Sequence, residues 1–481
     1  MRPWFRRIPT VLGYAAAVLA VAALSVWLSV RVTPLQTVTP VGQTVQVGAA
    51  TPDLSMSGPG ELELFGQVIP TQPRFEGPIR PRLKLTHISF NAQASALTKP
   101  GGAEAATTDL SRQLTAAWTR YLLWETLVAT GFAALIAIAV AGIRRSSRTT
   151  MLKMLGIAVA GVCALNALGV YLLASATPAA LRQVRGIEDL VGPSTPTPVQ
   201  AVGAPARPGV QAVVLGDSTA AGIGNAPLDD PTPTDKACGR SKDAYAVYLA
   251  AANNWNTLNL ACSGATVRDG LLGPQQRGTT EVPPQLAVAL KATKASVIIV
   301  SIGANDIHWS TMTALCAAAK TCDDKASTAY FQQQINAFSA DYYDLLDNLA
   351  ALPQHPRVLI NEYYNPFGER LDCLKNQNIT TAKTKTLKYR LDELNSVLRQ
   401  GAQTFGFTAV PQHFDGHRLC SKQPFVQGLD ANAPLHPNAA GELAIALADQ
   451  QALSRTGTST STSTSTSTPT PSAGASAGNK P

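Results

Sequence analysis

Four short blocks, in order along the second half of the chain, carry residue types that could do chemistry together. They are Gly216-Asp217-Ser218, then Gly264 in Cys262-Ser263-Gly264, then Asn305 in Gly303-Ala304-Asn305-Asp306, then His436 followed by Pro437. A serine hydroxyl becomes a nucleophile when a base takes its proton, and histidine is the side chain whose pKa suits that task near neutrality. A glycine lets its backbone N–H approach a ligand closely, and a side-chain amide donates a hydrogen bond. Both can bind a developing oxyanion, where losing one donor costs about 3–4 kcal/mol of barrier. Nucleophile, base and oxyanion donors are the requirements for cleaving an acyl ester. Each block alone is commonplace. Gly-Asp-Ser is a frequent turn and N-cap sequence, Gly264 could be a plain turn glycine, and Asn305 with Asp306 could simply cap a helix. The ordered set carries the reading. His87, His308, His355, His413 and His417 read as structural or surface residues, with His308 close enough to Asn305 to line the same pocket.

Strands separated by helices must position these blocks. Val210–Leu215, Ser296–Ser301, Arg357–Ile360 and Phe407–Val410 are apolar strand runs, and Leu258–Ala261 is a shorter one. Ala244–Ala252, Tyr330–Leu352, Thr381–Thr404 and Asn438–Leu453 carry helical patterns. Such alternation predicts a parallel sheet covered on both faces, with its site at the carboxyl ends of the strands. Ser218 and Asn305 both follow strands at those ends, and the serine would open the next helix, whose N-terminal N–H groups suit an oxyanion.

The first part of the chain is different in kind. Val11–Val30, Thr126–Ile143 and Met154–Ala176 are uncharged over 20, 18 and 23 residues, long enough to cross a bilayer as helices. Arg2, Arg6 and Arg7, and then Arg144, Arg145 and Arg148, flank these spans, so the positive-inside rule puts both sets on the cytoplasmic side and everything after Ala176 outside. The first span has no small-residue cleavage site after it and reads as a retained anchor rather than a signal peptide. The net charge of +8 is accounted for largely by these flanks. With no basic stripe interleaved with aromatics, nucleic acid is excluded as a partner.

Between the first two spans, residues 32–119 form an extracytoplasmic segment. Leu62-Glu63-Leu64-Phe65 and Leu83–Ile88 alternate at period two, predicting a small β-rich unit of no evident chemistry, and Ser111–Glu125 reads as helix leading into the second span. Residues 120–181 hold the second and third spans, 182–207 a proline-rich spacer, 208–453 the domain with the four blocks, and 454–481 a Ser/Thr/Pro tail expected to be disordered. Cys163 lies in the third span, and the other six cysteines (Cys238, Cys262, Cys316, Cys322, Cys373 and Cys420) all fall on the outer side. An even number there predicts three disulfides, in pairings the spacing leaves open. No Cys-x-x-Cys pair or zinc-type spacing occurs, so no metal is expected.

The ordered blocks resemble those of the SGNH hydrolases, also called the GDSL family, in which serine, glycine, asparagine and histidine stand in this order. Ser218, Gly264, Asn305 and His436 match them residue by residue over roughly 208–453. The resemblance implies a three-layer α/β/α domain with a five-stranded parallel sheet, and ester hydrolysis through an acyl-enzyme without a cofactor. The cysteines resemble those of secreted actinobacterial members, in which sequence neighbours pair, implying Cys238–Cys262, Cys316–Cys322 and Cys373–Cys420. One departure stands out. The family places an aspartate three residues before the histidine, and this chain has Ala433 there. The expectation is that the Ala433 carbonyl holds the imidazole N–H, with Asp430 as the second candidate.

The sequence thus predicts a membrane-anchored, multi-pass protein whose extracytoplasmic serine esterase domain acts on acyl esters of lipid or envelope glycan. The same four residues would also serve an acyltransferase working on envelope glycan. A non-catalytic glycan-binding module would be expected to have lost its nucleophile or base.

Overall fold

The computed structural model describes residues 8–39, 43–50, 55, 57–77, 79–88, 102–181 and 207–457. The spacer over 182–206 and the tail from 458 onward lie outside the described residues.

Three helices, α1 (Ile8–Val32), α2 (Gly102–Ile143) and α3 (Arg148–Leu181), pack side by side. Each holds a stretch long and apolar enough to cross a membrane: Gly13–Val32, Arg112–Ile143 and Arg148–Gly169. Small side chains face one another between them, Ala22 with Ala129, Ala133 and Val162, which lets the helix backbones approach closely. One polar cluster joins all three helices: Ser29 Oγ donates to one Glu125 carboxylate oxygen and Asn166 Nδ2 to the other at 2.6 Å. α2 starts at Gly102, well ahead of the expected Ser111, so one continuous helix runs up to and through the apolar span.

The segment between α1 and α2 is a mixed five-stranded sheet of β1 (Gln36–Val38), β2 (Gln43–Ala49), β3 (Ser57–Leu64), β4 (Gln67–Glu76) and β5 (Pro81–Ile88), ordered β1-β2-β5-β3-β4. Only β3 and β5 run parallel. β3 and β4 are joined by the two residues Phe65 and Gly66, with φ of 51° and 80°, the geometry of the primed turns that match strand twist. A bulky side chain rarely adopts positive φ. Here Phe65 is held by burial: it is 2% exposed, its ring 5.7 Å from that of Tyr342 and 6.5 Å from that of Tyr343. Gln67 beside it accepts a hydrogen bond from Gln332 at 2.8 Å. The hairpin tip is thereby inserted into the domain that follows, and Leu62, Leu64, Phe65, Ile69, Leu85 and Ile88 belong to the same apolar core as that domain's helices.

That domain is built on a second five-stranded sheet of β6 (Ala212–Gly216), β7 (Thr257–Asn259), β10 (Val297–Ser301), β11 (Arg357–Asn361) and β12 (Thr408–Val410). Its order is β12-β11-β10-β6-β7 and every pair is parallel. β8 (Gln275–Arg277) and β9 (Thr280–Val282) form a separate hairpin. β6 and β10 are buried throughout because helices cover both faces, which is why they read as continuous apolar runs. Their side chains divide by parity: Val213, Leu215, Ile298 and Val300 enter one core, and Ala212, Val214, Val297 and Ile299 the other.

The helices follow in chain order. They are α4 (Ser218–Ala221), α5 (Pro233–Cys238), α6 (Tyr245–Asn253), α7 (Gln285–Ala289), α8 (Trp309–Ala318), α9 (Lys325–Ala350), α10 (Thr381–Thr404) and α11 (Ala439–Gly457). α7, α9 and α10 cover the first face; α6 and α11 cover the second. This is the three-layer α/β/α domain with a parallel sheet that the sequence implied. α11 runs to Gly457, a few residues into the segment expected to begin the tail. Cys238–Cys262, Cys316–Cys322 and Cys373–Cys420 are bonded, all within this domain.

Candidate active site

β6 ends in Gly216, whose φ of 150° and close approach to the Ser301 backbone leave no room for a Cβ. Gln285 brackets this glycine, accepting from its N–H at 2.8 Å and donating to its carbonyl at 2.9 Å. Asp217 then caps α4 by accepting from the Thr219 N–H at 2.9 Å, and Ser218 is the first helical residue. α4 is a single turn closed by Gly222, so individual backbone N–H groups matter there more than a helix dipole.

The structure brings the first and last blocks together: Ser218 Oγ lies 2.8 Å from His436 Nε2 across 218 residues of sequence. Both residues are only partly covered, so the pair opens at the surface. The His436 loop is pinned from several sides. Tyr364 Oη donates to the Leu435 carbonyl at 2.9 Å, Gln427 N–H to the His436 carbonyl at 2.7 Å, and Asn225 Nδ2 to the Pro437 carbonyl at 3.0 Å.

The acceptors beside the imidazole are backbone carbonyls, Pro434 joining the expected Ala433. His436 Nδ1 meets the Pro434 carbonyl at 3.1 Å, while the Ala433 carbonyl accepts the His436 backbone N–H at 3.2 Å. The reason is the backbone: Leu435 sits at φ 66°, which folds the Pro434 carbonyl back toward the ring. Asp430, the other candidate, is exposed and makes no bond to the ring. A carbonyl can only accept, so Nδ1 carries the proton and Nε2 is left to accept from Ser218. Burial pushes the imidazole pKa below its ordinary value of 6.5, against smaller opposing effects of the Pro434 and Ala433 carbonyls.

Gly264, at φ 79°, is exposed at the end of the turn after β7. Disulfide Cys238–Cys262 ties that turn to the end of α5, and Ser263 donates to the Cys238 carbonyl at 2.8 Å. Asn305 uses one amide N–H on the Ala265 carbonyl at 2.9 Å, leaving a second. Asp306 accepts from the Val267 N–H at 2.8 Å and so ties the third block to the second; burial pushes its pKa up to about 7. All four blocks are therefore joined around the carboxyl ends of β6, β7 and β10.

Two connections had no sequence signal of their own. Tyr363, just past β11, donates from Oη to Asp217 at 2.5 Å and accepts from the Ala304 N–H at 3.1 Å, coupling the serine block to the asparagine block. Burial pushes the Asp217 pKa up to about 6. Tyr363 stands at a strand end, the one cue that could have singled it out. His308, read from the sequence as a structural or surface residue near Asn305, has its ring on Tyr330, Nδ1 to Oη 2.6 Å. A polar cavity of about 320 Å³ opens elsewhere, between α10 and the ends of β11 and β12, where Glu362, Asn395, Arg399 and Gln412 line it without Ser218 or His436.

Residues 214–444 match the GDSL-like Lipase/Acylhydrolase family. The chain is similar to Lipase 1 of Streptomyces coelicolor, 28% identical over 243 residues covering 48% of this chain and 81% of that one. It is also similar to a lipase of Streptomyces rimosus, 27% identical over 254 residues covering 50% and 86%. A crystal structure of the extracellular lipase from Streptomyces rimosus overlaps 50% of this chain and 99% of that one, with 21% identity and a TM-score of 0.39.

Proposed function

We propose, on the premise that residues 214–444 are a domain of the GDSL-like lipase/acylhydrolase family and hydrolyse ester bonds, that Ser218 and His436 are its nucleophile and base. The observation that carries the assignment is the 2.8 Å contact between Ser218 Oγ and His436 Nε2. Ser218 Oγ attacks the acyl carbon while Nε2 takes its proton. The Ser218 and Gly264 backbone N–H groups, with the Asn305 amide, bind the oxygen that becomes negative. Collapse of the tetrahedral intermediate expels the alcohol, which leaves with the proton from Nε2. Water, deprotonated by His436, then releases the acid and restores Ser218. The Pro434 carbonyl holds the tautomer that this sequence needs, in place of a carboxylate.

The domain is read as anchored by three membrane helices and placed on the extracytoplasmic side. The three apolar helices, the arginines at their predicted inner ends and the three disulfides support that placement. Its substrate is then an acyl ester of lipid or envelope glycan, with residues 182–206 as the spacer and the Ser/Thr/Pro tail outermost.

A fluorescent fluorophosphonate, which phosphonylates activated serines with loss of fluoride, tests the assignment directly. The expected result is stoichiometric labelling, mapped to the peptide bearing Ser218; labelling elsewhere, or none on folded protein, overturns it. The pH profile is a second check. His436 must be unprotonated to accept from Ser218, so activity falls as pH drops through its pKa. Because burial lowers that pKa, the acid limb of kcat/KM on a neutral p-nitrophenyl ester is expected below pH 6.5. A midpoint above that value would contradict a buried imidazole held only by a carbonyl.

A further inference from the structure

We propose that Arg277 recognises an anionic group, a phosphodiester or a carboxylate, carried by the substrate close to the ester. The inference rests on the catalytic reading above and adds a specificity determinant to it.

Arg277 closes β8 and reaches the second block from outside. A Cβ built on Gly264 would lie 3.2 Å from Arg277 Nη1, so the guanidinium stands beside the backbone assigned to the oxyanion. Its Nε donates to the Ala237 carbonyl at 3.2 Å, within α5 and next to the disulfide that ties α5 to the Gly264 turn. Gln275, at the start of the same strand, donates to the Ser263 carbonyl at 2.9 Å. The arginine is thus mounted on the same rigid wall as the oxyanion donor.

Its charge is unanswered. Nearby Arg240 is paired with Asp235 at 2.8 Å, and Arg268 with Asp341 and Asp344 at 2.7 and 2.6 Å. Arg277 has no ion-pair partner among the described residues, and it is half-buried at a surface-open site. A guanidinium with its Nε–H fixed and Nη1 beside an exposed glycine has N–H donors left to bind phosphate or carboxylate oxygens. An ester without a neighbouring anion would leave those donors to water.

The test uses the purified full chain in detergent with wild type, R277Q and R277K. Substrates come in pairs that differ by the anion: dioleoyl phosphatidylglycerol against dioleoylglycerol, and an O-acetylated uronic acid against its methyl ester. The neutral p-nitrophenyl butyrate runs beside them. The expected result is a wild-type preference for one anionic member that R277Q abolishes, with kcat/KM falling about 10- to 100-fold, chiefly through KM. R277K should keep part of the preference, R277Q should lose far less on p-nitrophenyl butyrate than on the anionic ester, and added salt should narrow the gap. Whichever pair shows the preference identifies the anion as phosphodiester or carboxylate. Equal rates on both members of each pair overturn the proposal, as does a loss in R277Q that is as large on p-nitrophenyl butyrate as on the anionic esters. Turnover of p-nitrophenyl butyrate that survives Ser218→Ala would instead remove the underlying catalytic assignment, whatever Arg277 does.

Discussion

Replacing Ser218 with alanine is expected to lower kcat on p-nitrophenyl butyrate by ten-thousand-fold to about a million-fold. The reason is specific to the geometry. Ser218 Oγ makes its hydrogen bond to His436, while the turn that carries it is held by other groups: Gln285 on Gly216, and Thr219 and Tyr363 on Asp217. Removing the hydroxyl takes away the atom that forms the acyl bond and leaves that scaffold intact. Alanine also suits the first residue of a helix. Melting temperature should therefore stay close to that of the wild type, and the variant should still bind substrate. The oxyanion donors remain, so a small rate above the uncatalysed one is expected to persist. A variant that is folded and retains more than about one per cent of the activity would mean that another nucleophile does the work.

His436→Ala is expected to cost nearly as much, and the Ser218→Ala/His436→Ala double variant no more than either alone. Independent contributions would multiply, whereas two groups that act in a single proton transfer cannot be lost twice. Asp430→Ala is the built-in control. With the imidazole Nδ1 at 3.1 Å from the Pro434 carbonyl and Asp430 exposed, that substitution should change kcat/KM by less than about twofold. A large loss at Asp430 in folded protein would restore a carboxylate to the site. A double variant markedly worse than the singles would separate the serine from the histidine. Progress curves with a sensitive chromogenic ester, compared with buffer alone, measure all of these.

Much of this arrangement was legible in the chain. Apolar runs marked the strands because a sheet covered on both faces needs no polar alternation, and the serine and asparagine blocks fell at strand ends, where the parallel sheet places them. The parts that were not legible depend on the backbone or on distant partners. The approach of the Pro434 carbonyl to the imidazole follows from the positive φ of Leu435, a conformation that composition does not announce. Tyr363 is one aromatic among several near the end of β11, and only the fold shows that its hydroxyl spans two blocks. Arg277 gave no signal because its neighbour Gly264 comes close only when the β8–β9 hairpin is laid against the disulfide-tied turn. In the first half of the chain, period-two alternation found the β unit. It gave no hint that Phe65 at the hairpin tip was bound for another domain's core.

Phe65 is synthesised about 280 residues before Tyr342, which at roughly 5–20 residues per second is an interval of about 15–55 s. Throughout it the β3–β4 hairpin can form locally, yet its aromatic tip has nothing to cover it. A nascent or truncated chain that ends before α9 therefore carries an exposed phenylalanine on a preformed turn, and the completed chain buries it to 2%. The hairpin acts as a report of completion: only a chain whose catalytic domain has been made and folded withdraws the hydrophobic surface by which an unfinished one could be recognised, or could aggregate.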